Sequence, residues 1–267
     1  MRIAIISAGL LLCLAVAGLL VHRIRKKKGS AFRWVHVLWI MLIGILMIAL
    51  IAAVYFAMYY HRDESADPYL ESSESVTVAA TENGLFFDGP SNRRAVIFYP
   101  GAKVEAEAYA PLLFRIAEEW GDCFLVEMPL NMAIMNVDAA QEIQQEYHYD
   151  QWFLAGHSLG GASAALYAEQ NPDLVNGLIL LAAYSTRPLP EDILCVSMYG
   201  DQDGVLNKTE YEKDRENLPS GTREVVIPGG NHAQFGNYGA QRGDGTAAIT
   251  WEEQQNQVVE TLKEMEK

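Results

Sequence analysis

The chain has 267 residues, half of them hydrophobic, with 34 acidic against 20 basic side chains and a formal net charge of −14. The charge is uneven: residues 1–61 hold seven basic residues and no acidic one, so the remainder carries 13 basic against 34 acidic, a net of −21. A domain that acidic repels phosphate backbones, which excludes nucleic acid as a partner. Three cysteines, with no ligand-like spacing, make neither a disulfide framework nor a metal site; Cys13 lies in an apolar run, and Cys123 and Cys195 lie in expected buried strands.

Residues 3–21 form a run without a charge, which at ~1.5 Å per residue nearly spans a hydrocarbon core of ~30 Å. A basic stretch, 22–33, follows with six Lys and Arg residues. A second uncharged run, 34–60, is long enough to span with tilt, and Trp34, Trp39, Tyr55, Tyr59 and Tyr60 include residues suited to interfacial belts near its ends. The expectation is a two-helix transmembrane hairpin over 1–60 that binds the lipid bilayer. Its basic loop would lie inside and everything after it outside, giving a two-pass plasma-membrane protein with an extracytoplasmic domain. The competing reading is a cleaved signal peptide at 3–21, with Ala15-Val16-Ala17 as the cleavage site; the lone n-region Arg2 and the basic block behind the run oppose it. Residues 61–75 are short, charged and serine-rich and read as a polar tether; 76–267 is the globular domain.

In that domain, residues 75–80 and 84–88 suit a hairpin about Glu82-Asn83-Gly84. Strands are expected at 95–99, 123–126, 152–155, 178–182, 193–198 and 224–227, and helices at 105–120, 137–147, 158–170 and 250–265. Strand and helix alternate, so the fold class is α/β: a mostly parallel sheet with helices on both faces and its chemistry beyond the carboxyl ends of the strands.

Gly156-His157-Ser158-Leu159-Gly160 follows one apolar strand and opens a helix, the setting of a G-x-S-x-G nucleophile elbow. The bland alternative is a serine that caps the helix. A serine hydroxyl needs a base to take its proton and an acid to orient that base, in the chain order Ser, Asp, His. Gly200-Asp201-Gln202-Asp203-Gly204 follows the next-to-last strand, and Gly229-Gly230-Asn231-His232 follows the last. His232 is the candidate base. Asp203 and Asp201 compete for the acid, and Asp201 also suits a turn-shaping role. The Leu159 N–H, at a helix N-terminus, is one candidate oxyanion donor.

Gly-His-Ser-Leu-Gly-Gly, Gly-Asp-Gln-Asp-Gly-Val and Gly-Gly-Asn-His-Ala-Gln-Phe-Gly together resemble the α/β-hydrolase superfamily, most closely its small esterase-like and dienelactone-hydrolase-like members. The resemblance covers about residues 75–267. It implies an α/β-hydrolase fold, Ser158 as nucleophile, Asp203 as the acid three residues after a strand-ending glycine, and Ala102 N–H as the second oxyanion donor. The dienelactone-type relatives carry cysteine where this chain has Ser158, and Pro100 stands where relatives have histidine in the oxyanion loop, with Lys103 close by as a substitute. His157 is expected to be structural.

The resulting expectation is a membrane-anchored serine hydrolase cleaving a small-molecule or lipid carboxylic ester, without metal or organic cofactor. A thioesterase or acyltransferase of the same fold, or a non-catalytic binding module, is the alternative. Only residues 184–190 lie where relatives insert a cap, so the site should be open. Tyr184, Phe235 and Tyr238 either line it or pack in the core, and the glycine-rich 235–245 segment shapes its rim.

Overall fold

A computed structural model describes residues 34–265, together with Val16 and Arg23. The expected first apolar helix at 3–21 and most of the basic 22–33 stretch fall outside the described residues.

The chain divides into two units, residues 1–58 and 59–267. Within the first, helix α1 (Trp34–Ala57) is apolar along its length, and its Leu38–Ala57 stretch is long and apolar enough to cross a membrane. No other described helix is, so a two-helix hairpin is not seen among the described residues. α1 stops three residues short of the expected 34–60.

The second unit holds an eight-stranded sheet: β1 (Thr77–Thr81), β2 (Gly84–Asp88), β3 (Arg94–Tyr99), β4 (Asp122–Val126), β5 (Gln151–His157), β6 (Gly177–Leu181), β7 (Leu194–Gly200) and β8 (Arg223–Ile227). The order is β1-β2-β4-β3-β5-β6-β7-β8. β1 and β2 run antiparallel, as the hairpin signal implied, and the strands from β4 to β8 are parallel.

Five helices follow α1: α2 (Ala110–Glu119), α3 (Ala139–Glu146), α4 (Leu159–Gln170), α5 (Lys208–Asp214) and α6 (Trp251–Glu264). The alternation along β3 separates two cores. Val96 and Phe98 pack with Leu112, Leu113 and Ile116 of α2 and Val258, Val259 and Leu262 of α6. Ala95, Ile97 and Tyr99 pack on the other face with α3 and the alanine-rich α4. Each such large side chain, fully buried, contributes roughly 1.5–3 kcal/mol. α6 starts at a reciprocal cap: Thr250 Oγ1 accepts from Glu253 N, and the Glu253 carboxylate accepts from Thr250 N.

Two local expectations differ from the structure. The helix expected over 105–120 is a 3-10 turn, Ala106–Tyr109, running into α2, because Pro111 suits the first turn of an α-helix but not its interior. Residues 61–75 do not hang free as a tether. They hold a 3-10 helix, Glu64–Leu70, whose start is hydrogen-bonded to the domain: Asp63 N donates to Asn237 O at 2.7 Å, and Asn237 Nδ2 donates to Ser65 Oγ at 2.9 Å. Several polar residues of the segment, among them Asp63, Ser65 and Ser75, bond to the domain, while Glu64, Glu71 and Glu74 stay exposed.

The sheet order places the site. β3 leads one way to β4, while β5 returns to pair on its other side. The crevice between the carboxyl ends of β3 and β5 is therefore a topological switch point, where ligands of open α/β sheets bind. Its last paired residues are Tyr99 and Gly156.

Candidate active site

Ser158 sits in the turn between β5 and α4 with φ 53° and ψ −124°, a left-handed region that a non-glycine residue adopts at a cost of order 1–3 kcal/mol. The turn is possible because its flanks are glycines. A Cβ on Gly156 would lie 2.5 Å from Gly160 C, and one on Gly160 would lie 2.0 Å from Tyr99 O. Ser158 N is held by Leu181 O at 2.9 Å. Its side chain makes no capping hydrogen bond, so the hydroxyl is not spent on the helix, as the simple cap reading requires.

Asp203 follows β7 in a tight loop and is buried. Its Oδ1 accepts from Val205 N and Leu206 N, both at 2.8 Å, and its Oδ2 lies 2.8 Å from His232 Nδ1. Burial alone would raise the Asp203 carboxyl. The hydrogen bond to His232, its charge and the two backbone donors outweigh burial and hold the group below its ordinary value. His232 is also buried, and its Nε2 has no hydrogen-bond partner among the described residues.

Asp201 takes a different position. It is exposed, and its Oδ1 accepts from Gly229 N at 2.8 Å, pinning the turn after β8. The structure therefore joins Asp203, not Asp201, to His232.

The loop after β3 is tied to the elbow. Gly101 N donates to Tyr109 Oη at 3.0 Å, which leaves the Tyr109 hydroxyl proton for His157 Nδ1, 2.8 Å away. His157 is fully buried; burial first, and the neighbouring His232 second, push its imidazole well below the ordinary histidine range. Its ring lies 4.4 Å from that of His232 between centroids. A neutral His157 thus joins His232 to the loop after β3. The N–H groups of Ala102 and Leu159 donate to no acceptor among the described residues, and both residues are half-buried. Phe235 and Tyr238 are buried and pack against the His157 ring rather than lining an open cleft, while Tyr184 is half-buried.

Two residues that hold the backbone around His232 gave no sequence signal. Asp244, on the glycine-rich segment, accepts from Gly204 N at 3.1 Å and His232 N at 3.2 Å through Oδ1, and from Ala233 N at 2.8 Å through Oδ2. Gln254 of α6 is fully buried and clamps Asn231 from both sides, accepting from its N–H at 3.0 Å and donating to its carbonyl at 2.8 Å. Both partners are remote in sequence, so no motif marks them.

The model of the α/β hydrolase family matches residues 95–256, more than half of the chain. Solved structures share the fold at low identity. One of two fungal esterases from Rhizomucor miehei is 13% identical over 76% of this chain and 85% of its own, with a TM-score of 0.52. A monoacylglycerol lipase from Paleococcus ferrophilus is 15% identical over 70% of this chain and 98% of its own, with a TM-score of 0.52. Carboxyl esterase 2 from Tuber melanosporum is 9% identical over 77% and 90%, with a TM-score of 0.51. No curated protein matches the sequence. With its sheet order, its strained elbow and the family match along residues 95–256, the chain belongs to the α/β hydrolase family.

Proposed function

We propose that the protein is a membrane-anchored serine hydrolase that cleaves a carboxylic ester, with Ser158 as nucleophile, His232 as base and Asp203 as orienting acid. The observation that carries this is the buried His232–Asp203 pair: Nδ1 is held at 2.8 Å while Nε2 stays without a partner. A histidine so arranged is fixed in one tautomer with its second nitrogen available to a hydroxyl.

His232 Nε2 takes the Ser158 proton as Oγ attacks the acyl carbon. The N–H groups of Leu159 and Ala102 receive the oxyanion, each worth roughly 3 kcal/mol in the transition state. The intermediate collapses, and the departing alkoxide takes the proton from His232. Water, deprotonated by His232, then attacks the acyl-enzyme, and the acid leaves with Ser158 regenerated. Asp203 stabilises the imidazolium in both halves.

α1 supports the anchor, being long and apolar enough to span. The basic 22–33 stretch just before it favours the inner side of the membrane, which puts the domain outside.

Rapid mixing of the detergent-solubilised full chain with a p-nitrophenyl ester tests the activity. The expected result is a burst of one nitrophenolate per chain followed by slower turnover, both absent in Ser158→Ala. Absence of turnover in the wild type leaves a non-catalytic hydrolase-fold binding module.

A further inference from the structure

A short stretch of chain joins the end of α1 to a residue that pairs with the candidate oxyanion loop. α1 ends at Ala57, and Tyr60, three residues on, is sewn into that loop. Tyr60 N donates to Lys103 O at 2.7 Å, Glu105 N donates to Tyr60 O at 2.9 Å, and Tyr60 pairs with Val104 in a parallel bridge. On its other side the Tyr60 ring meets Tyr238 at 5.6 Å, and its hydroxyl accepts from Arg242 N. Three extended residues reach at most about 11 Å. Tyr60, which pairs with the segment just after Ala102, is therefore tethered to the end of α1 by no more than that length of chain.

The same loop is bordered by apolar side chains that are exposed among the described residues. Lys103 N donates to Asn131 O, which ties it to the segment after β4. There Leu130 and Asn131 are two successive left-handed non-glycine residues, with φ 55° and 53°. Such residues persist only where their surroundings hold them. Leu130 is 52% exposed, and Ile134 and Met135 are 48% and 59% exposed, on a 3-10 turn (Ala133–Met135) packed against α4, the helix that follows Ser158. Leu174, Leu194 and Val226 are exposed elsewhere on the domain, but Leu130, Ile134 and Met135 cluster within six residues on the segment tied to the candidate oxyanion loop, and a cluster of that kind on an acidic domain offers itself to an apolar partner.

We propose that this rim docks on the bilayer that holds α1, and that the site draws its ester from that bilayer: the substrate is a lipid-like ester whose acyl chain lies among the membrane lipids. This rests on the serine-hydrolase and anchor reading above and adds a substrate class to it. The occupant is the bilayer because a three-residue link confines the rim to its neighbourhood. The domain's net of −21 sets the lipid: zwitterionic headgroups accept it where anionic ones repel it.

The test uses the full chain in phosphatidylcholine vesicles. An environment-sensitive fluorophore is placed on Ile134→Cys in a Cys13→Ser background, Cys123 and Cys195 being buried, and a control on Asp192→Cys before β7. The expected result is a blue-shifted probe at 134 quenched by spin-labelled lipid, with the control in water. A probe at 134 that stays in water overturns the docking.

Turnover of a long-chain ester dissolved in the vesicles is then divided by turnover of a soluble short ester. In the double variant Ile134→Ser, Met135→Ser the ratio should fall by about tenfold or more, since apolar burial of each side chain is lost. A flexible insertion between Met58 and Tyr59 should lower the same ratio. A ratio that neither change moves overturns the substrate class and leaves the hydrolase reading intact. Failure of the hydrolase reading shows separately, as a wild type that leaves the soluble ester uncleaved; that outcome removes the substrate class, and the probe alone then decides the docking.

Discussion

The carboxylate of Asp244 receives the backbone N–H of His232, Oδ1 lying 3.2 Å from the nitrogen, and the same oxygen receives Gly204 N at 3.1 Å. One half-buried loop carboxylate thus joins the backbone that carries the proposed base to the backbone that carries the proposed acid. The 2.8 Å contact between His232 and Asp203 is fixed from outside as well as by its own hydrogen bond.

Asp244→Ala should therefore lower kcat by about 10- to 100-fold through loss of alignment, with KM moved much less. It should also destabilise the fold by roughly 1–3 kcal/mol, because backbone donors lose a charged acceptor. Asp244→Asn, which keeps a carbonyl oxygen, should recover part of the rate. Steady-state kinetics beside chemical denaturation separate the two effects; a stability loss with kcat unchanged would show Asp244 to be only structural.

Asp203→Asn and Asp201→Asn discriminate the two aspartates. The first should cost about 10⁴-fold in kcat, the magnitude seen when the orienting acid of a serine protease triad is neutralised. The second removes a charge whose Oδ1 accepts Gly229 N on the surface, so kcat should stay near wild type. Equal losses in both variants would refute the assignment of Asp203.

His157 makes stability depend on pH. Its folded-state pKa is depressed by burial and by His232. As pH falls below the unfolded value of about 6.5, the unfolded chain binds a proton that the folded chain refuses, so stability is lost at up to about 1.4 kcal/mol per pH unit. The loss should begin near neutrality and continue toward pH 5. His157→Gln should be less stable near pH 7.5, for want of the Tyr109 contact, and should show a shallower slope below it. Urea denaturation across that range measures both; parallel curves for the two proteins would contradict the assignment.

Gly160→Ala tests the packing of the elbow. The added methyl would meet Tyr99 O at 2.0 Å and Pro100 O at 2.4 Å, both backbone atoms that cannot step aside. The expected cost is about 3 kcal/mol or more, at or above the usual range for overpacking. A thermal unfolding curve matching wild type would mean that the β3–α4 approach is looser than described.

Much of this architecture was legible in the sequence because its signals are local. The run Ala95-Val96-Ile97-Phe98-Tyr99 reads as a strand buried on both faces, and β3 is that strand. Gly156 and Gly160 mark a turn too tight for side chains, and Asp203 and His232 each follow a strand end by a few residues. What was not legible depends on partners distant in the chain. The 61–75 segment has a linker's composition, yet Asn237 captures it from 172 residues away through Ser65. Asp244 sits among glycines that suggested only a rim, and Gln254 lies on an amphipathic helix where a buried glutamine looks like an irregularity. Helix α5 gave no signal, because Lys-Thr-Glu-Tyr-Glu-Lys-Asp is almost wholly polar and buries one residue, Tyr211. Tyr109 read as one more apolar position of a helix, although its hydroxyl connects Gly101 to His157.

The proposed function stands on Ser158 as a nucleophile activated by His232. Treating the detergent-solubilised full chain with a fluorophosphonate and locating the adduct by peptide mass spectrometry tests it most directly. The expected result is a single adduct on Ser158, absent in Ser158→Ala and formed far more slowly in His232→Ala. An unlabelled wild type, or an adduct that persists undiminished in Ser158→Ala, would contradict it.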